Sequence, residues 1–153
     1  MNTAKTLALA ALLLPATAMV AQAARPDPVY KARHDNFESM GRAMKALTGE
    51  LKRPAPRMAV LKANADALMN ASMKVKGHFP PGTGPKAGIK TEALPAIWQK
   101  PDEFSAAADR LVNATHGLQA AVGTGDVARI GPAVMAVGGS CKNCHDGFRK
   151  PHG

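Results

Sequence analysis

Cys141-Lys142-Asn143-Cys144-His145 contains the only two cysteines of the 153-residue chain, three positions apart, with an imidazole directly after the second. On a helix, positions i, i+3 and i+4 share a face, so both thiols and the ring point the same way. Thiols about one turn apart suit addition to the two vinyl groups on neighbouring edges of a porphyrin. The next side chain then reaches the iron as its proximal ligand. C-x-x-C-H is the attachment signature of a c-type haem. The spacing predicts one haem c per chain, bonded covalently to Cys141 and Cys144, with its iron on His145.

Other uses of the pair fit less well. A thioredoxin-like redox pair opens a helix after a strand, whereas this one lies near the end of a chain with helical periodicity. A zinc site wants four ligands, and the spacing of His78, His116 and His152 suggests no convergence. A plain disulfide is usual for a lone pair in an exported protein, but it gives the adjacent His145 no purpose.

Four segments of helical pattern position the motif. The first opens at Asp27-Pro28, an N-cap followed by proline at the first helical position, and runs to about Thr48. Tyr30, Phe37, Met40, Met44 and Leu47 make its apolar face. The second starts near Pro54 or Pro56 and continues to about Val75, with Met58, Leu61, Ala65, Leu68 and Met69 as its stripe. From Gly77 to Lys100 the pattern disappears, because Pro80-Pro81-Gly82-Thr83-Gly84-Pro85 cannot continue a helix. Phe79, Ile89, Leu94, Ile97 and Trp98 argue that this long loop packs on something apolar. The third helix opens at Pro101, with Asp102 and Glu103 in its first turn, and reaches Gly123. The fourth starts at Gly125-Asp126 and ends with Cys141 to Arg149. No stretch alternates as a strand would. The predicted fold class is all-α: an antiparallel up-down-up-down four-helix bundle with a long loop between the second and third helices.

Residues 1–23 read as a secretory signal peptide. Lys5 precedes an apolar run from Thr6 to Leu14, Pro15 breaks it, and Ala21-Gln22-Ala23 offers small residues for cleavage. That run is too short to span a bilayer. The expectation is export to the periplasm, cleavage near Ala23, no membrane attachment afterwards, and a single domain over residues 24–153. Loss of Lys5 leaves 19 of the 20 basic side chains against 11 acidic ones. The cations are scattered, and Tyr30 and Trp98 are the only Tyr and Trp, so nucleic-acid binding is excluded. The basic surface serves solubility and can steer an acidic redox partner, whose identity the sequence does not give.

With these features the chain resembles the cytochrome c-prime family over nearly all of residues 24–153. The resemblance rests on Arg33, Phe37, Met40 and Met44, on Phe79-Pro80-Pro81-Gly82-Thr83, and on Pro95-Ala96-Ile97-Trp98. It continues through Phe104, Gly125-Asp126 and the block from Gly139 to Arg149. Ala96 departs from it, since the family often has a glutamate there.

The resemblance implies that the first helix covers the distal face of the haem and that Phe37 faces the iron opposite His145. A phenyl ring cannot ligate iron. A five-coordinate, high-spin centre follows, binding nitric oxide or carbon monoxide and carrying single electrons. The alternative is a six-coordinate, low-spin electron carrier with Met40, Met44 or His34 on the iron, although methionine ordinarily fills cores. By resemblance Arg33 approaches a propionate, and Phe79, Met40 and Phe148 belong to the haem surroundings. Arg149 follows His145 by four, and a continuous helix would let it screen the outer imidazole nitrogen. With an apolar distal residue, peroxide or nitric oxide turnover is not expected. Members of the family often pair through the first two helices, so a homodimer is a further expectation.

Overall fold

The computed structural model describes residues 27–86 and 89–151, so the leader, its cleavage point and His152 lie outside the described residues. Four long helices form the bundle. They are α1 (Pro28–Leu51), α2 (Met58–Ser72), α4 (Pro101–Gly123) and α5 (Val127–Phe148), with a one-turn helix α3 (Ala96–Gln99) before α4.

Local chemistry sets most of the ends. The Asp27 carboxylate accepts the Val29 N–H at 3.0 Å with Pro28 in the first turn, and Asp126 accepts the Ala128 N–H at 2.9 Å. Gly125 turns the chain between α4 and α5 at φ +71°, which only glycine adopts freely. The α4 bounds match the sequence expectation.

Other ends differ from it. α1 runs three residues beyond Thr48 because Glu50, only 5% exposed, is pinned beneath the following turn. Its carboxylate accepts the Arg57 backbone N–H at 2.8 Å and the Arg57 guanidinium at 3.0 and 2.8 Å. The same clamp holds 52–57 out of helical geometry, so α2 begins at Met58 rather than at a proline. α2 ends at Ser72, where i to i−3 bonds from Lys74 and Val75 tighten the chain into a 3-10 turn at Lys76–His78. The loop expected to be irregular therefore contains this turn and α3.

Leu47, Leu61, Leu68, Leu118, Ile130 and Val137 are fully buried between the helices. At the centre, the Ser72 and Thr115 hydroxyls lie 3.0 Å apart, so that one donates to the other while the other donates to a backbone carbonyl of its own helix, Met69 for Ser72 or Val112 for Thr115. α1 packs along α2, α2 along α4, and α4 along α5, whereas α1 and α5 touch only sparingly. The bundle thus has one loosely closed seam, and the C-x-x-C-H helix forms one side of it. No described helix is long and apolar enough to cross a membrane.

Candidate haem site

Cys141 and Cys144 occupy the last turns of α5 as free, half-buried thiols packed against the core. Burial pushes both above the ordinary thiol range. At Cys144 the neighbouring Cys141 adds to the rise and Arg110 opposes it. A redox-active pair needs the reverse, a thiol acidified by its surroundings. No group of three metal-ligating side chains occurs among the described residues, so His78 and His116 do not join the cysteines in a zinc site.

The facing wall comes from α1. A Cβ placed on Gly138 would stand 3.9 Å from Met44 Cε, which fixes the register of α1 against α5. The two helices run antiparallel with equal rise per residue, so Phe37, seven residues before Met44 on the same face, falls toward the His145 end of α5, to within about one helical turn. Phe37 is half-buried and sets its ring 6.0 Å from that of Phe79, edge to face.

Phe79 is the hub of an aromatic chain. Its ring centre lies 5.8 Å from Trp98 and 5.0 Å from Phe104, and Phe104 lies 5.4 Å from Phe148 at the end of α5. Edge-to-face pairs of this kind contribute about 0.5–1.5 kcal/mol beyond their burial. The chain links α1, the long loop, α4 and α5 at one end of the bundle.

Arg33 organises that loop. Its guanidinium sits 4.3 Å from the Phe79 ring centre. It donates from Nε to the His78 carbonyl at 2.9 Å, and from Nη2 to the Thr83 carbonyl and hydroxyl at 3.1 and 2.9 Å. Burial lowers its pKa, and Tyr30 and Asp27 partly restore it. The tip is fastened further by Trp98 Nε1 donating to the Pro80 carbonyl at 3.0 Å and Tyr30 Oη to the Gly84 carbonyl at 2.5 Å. One nitrogen, Nη1, is buried without a partner. An orphaned buried donor costs about 1–3 kcal/mol, and a haem propionate has the chemistry to satisfy it. The site fits a haem on three counts: that donor, the two thiols on one helical face, and the loosely closed seam beside them.

The remaining candidates separate. Met40 is buried, and its sulfur lies 3.9 Å from Asn36 Nδ2, which itself donates to Ala71 of α2 at 3.1 Å. Met40 is core filler on the α2 side. His34 lies on the outer surface, 3.3 Å from Glu38. Phe148 is buried against Phe104. Arg149 departs from expectation. It caps α5 in extended backbone rather than continuing the helix, and its guanidinium pairs with Glu92, donating from Nε at 2.5 Å. Leu94 N–H donates to the Phe148 carbonyl and Lys150 N–H to that of Glu92, so a short antiparallel bridge ties the loop to the end of α5. Glu92 and the His78 side chain are the site residues that sequence reasoning missed. Neither belongs to a motif or a stripe.

Comparison with known proteins agrees with this geometry. Residues 28–149 match the family described as Cytochrome C'. A cytochrome c' from Pararhodospirillum photometricum is 38% identical over 128 residues, covering 83% of this chain and all of that one. The crystal structure of cytochrome c' from Rubrivivax gelatinosus is 34% identical, with a TM-score of 0.74 over 84% of this chain and all of that one. A nitric oxide complex of a variant cytochrome c prime from Alcaligenes xylosoxidans is 31% identical, with a TM-score of 0.73 over 84% of this chain and 98% of that one. The chain belongs to the cytochrome c' family, whose members carry a c-type haem.

Proposed function

We propose that this chain is an exported haem protein with a five-coordinate, high-spin iron, binding diatomic gases such as nitric oxide and carbon monoxide and carrying single electrons. The observation that carries the reading is Phe37. Phe37, a side chain without a lone pair, lies on the face of α1 that carries Met44 toward α5 and nearer the His145 end, while Met44 reaches Gly138 and Met40 and His34 are engaged elsewhere. When bound, the haem supplies a reversible one-electron couple and an iron position at which a small gas binds.

The chain's own residues do the rest. Cys141 and Cys144 would hold one haem covalently, and His145 would ligate its iron. Phe37 and Phe79 keep water and bulky ligands from the opposite face. Arg33 Nη1, buried without a partner, would donate to a propionate oxygen. The nitric oxide complex of the Alcaligenes xylosoxidans relative supports gas binding. The apolar wall supports binding without turnover. Residues 1–23 direct the chain to the periplasm and are removed.

An optical spectrum of the ferrous protein with and without carbon monoxide tests the iron assignment. Ready binding to a high-spin form is expected, and a six-coordinate, unreactive spectrum overturns it. The intact mass of the exported protein tests cleavage near Ala23 and the addition of one haem. Two copies pair through α1 and α2 in this reading, where Ala59, Ala63 and Ala67 expose a small-residue face on α2. A monomeric sedimentation profile at micromolar concentration counts against that pairing.

A further inference from the structure

His78 closes the 3-10 turn between α2 and the loop, directly before the hub residue Phe79. Its carbonyl is held by Arg33, yet its ring nitrogen Nε2 is buried with no hydrogen-bond partner. Among the described residues, the buried side-chain nitrogens or oxygens left unpartnered are this atom and Arg33 Nη1. Both belong to one cluster, joined through the bond from Arg33 Nε to the His78 carbonyl.

The charges bearing on the imidazole are of one sign. Arg33 approaches it from α1 and Lys74 from the turn after α2. Lys76, on its own turn, is neutralised by Asp109 of α4, with Nζ to Oδ1 at 2.7 Å. Burial and the two cations together push the His78 pKa below its ordinary value. Two unpartnered nitrogens in a positive field complement an anion with two acceptor oxygens.

We propose that His78 Nε2 and Arg33 Nη1 share one carboxylate of the bound haem, making His78 a proton-titrating partner of that propionate. This rests on the haem reading above and adds a second, ionisable donor to it. Arg33 stays charged throughout the physiological range, so it fixes the carboxylate but cannot report pH. His78 can do both. With the carboxylate in place, an opposite charge favours the imidazolium and lifts its pKa above the ordinary value. An imidazolium beside the haem favours the less positive, ferrous iron. The midpoint potential then falls as pH rises through the His78 titration.

The experiment is spectroelectrochemical titration of the haem-bearing protein from pH 5 to 9, for the native chain, His78→Gln and His78→Phe. Gln keeps a donor without a titration, and Phe keeps only the ring. The expected result is a falling step in the native potential that both variants flatten, with Gln holding the low-pH native potential more closely than Phe. A purely structural role for His78 would leave the pH profile unchanged in shape. An unchanged step in both variants, or no step in the native protein, overturns the proposal. If the variants do not mature with haem, NMR of the native His78 ring decides. Titration above the ordinary imidazole value supports the proposal, and titration at or below that value overturns it. A colourless exported protein overturns the haem reading and this inference together. A coloured, gas-binding protein without the step overturns this inference alone.

Discussion

Replacing Arg33 with methionine keeps the length and much of the volume of the side chain while removing the N–H donors through which it fastens the loop. The His78 carbonyl, the Thr83 carbonyl and the Thr83 hydroxyl lose donors at 2.9, 3.1 and 2.9 Å. Hydrogen bonds to a charged group contribute about 1.5–3 kcal/mol each. Arg33 is 5% exposed, so removing its buried charge returns part of that as relieved desolvation. Loss of the guanidinium over Phe79 at 4.3 Å adds about 1–2 kcal/mol. The expected net cost is about 3 kcal/mol, or roughly 10 °C in Tm for a domain of this size. Thermal unfolding of the haem-bearing variant followed by far-ultraviolet circular dichroism measures it, and limited proteolysis between residues 79 and 95 measures the loop. Arg33→Lys should fall between, because an ammonium retains charge without the fork that spans both residues. A loss below about 2 °C with unchanged cleavage would refute the view that Arg33 organises this end of the bundle.

Glu50 has its pKa lowered to about 2, chiefly by hydrogen bonds from the Arg57 side chain and backbone. The stabilisation is full above the ordinary value of 4.5, declines as pH falls below it, and is gone below about 2. Glu50→Gln should therefore lower Tm at pH 7, with the difference from the native protein shrinking between those limits. A difference constant with pH would refute the linkage. Leu118→Ala, at a site with no exposure, should cost about 2–5 kcal/mol in urea unfolding, and a change below about 1 kcal/mol would contradict the packing. Phe37→Ala should speed carbon monoxide association roughly ten-fold or more, equivalent to about 1.4 kcal/mol of barrier, in flash photolysis. An unchanged rate would remove Phe37 from the gas path. Arg149→Ala should increase hydrogen exchange at the Leu94 and Lys150 amides with little change in Tm, since partly exposed ion pairs contribute about 1 kcal/mol or less. A large loss of Tm would place Arg149 in a stronger network than the Glu92 pair.

What could be read in the sequence was local. Asp27-Pro28, Pro101 with its two acids, and Gly125-Asp126 mark helix starts through bonds made within a few residues, and α4 agrees at both ends. The C-x-x-C-H motif is likewise one helical turn of chemistry. What could not be read depends on distant partners. The loop takes its shape from Arg33, 45 and 50 residues away, and from Tyr30, 54 residues away. Nothing near residues 76–86 announces them. The spacing of His145 and Arg149 suggested a continuing helix. Lys150 precedes Pro151, which disfavours helical backbone, and Glu92 takes up the freed segment. His78 was visible only as a spare histidine, because its significance is a missing partner that requires three dimensions to notice.

The long loop, the start of α1 and the end of α5 all gather at one pole of the bundle, while the 52–57 and 124–126 turns close the other. On the proposed haem reading, ligand access, prosthetic group and electron entry would all be confined to one half of the protein's length. The opposite half is a handle, and the 124–126 turn is a natural point for attaching a tether or electrode linker without disturbing the coloured end.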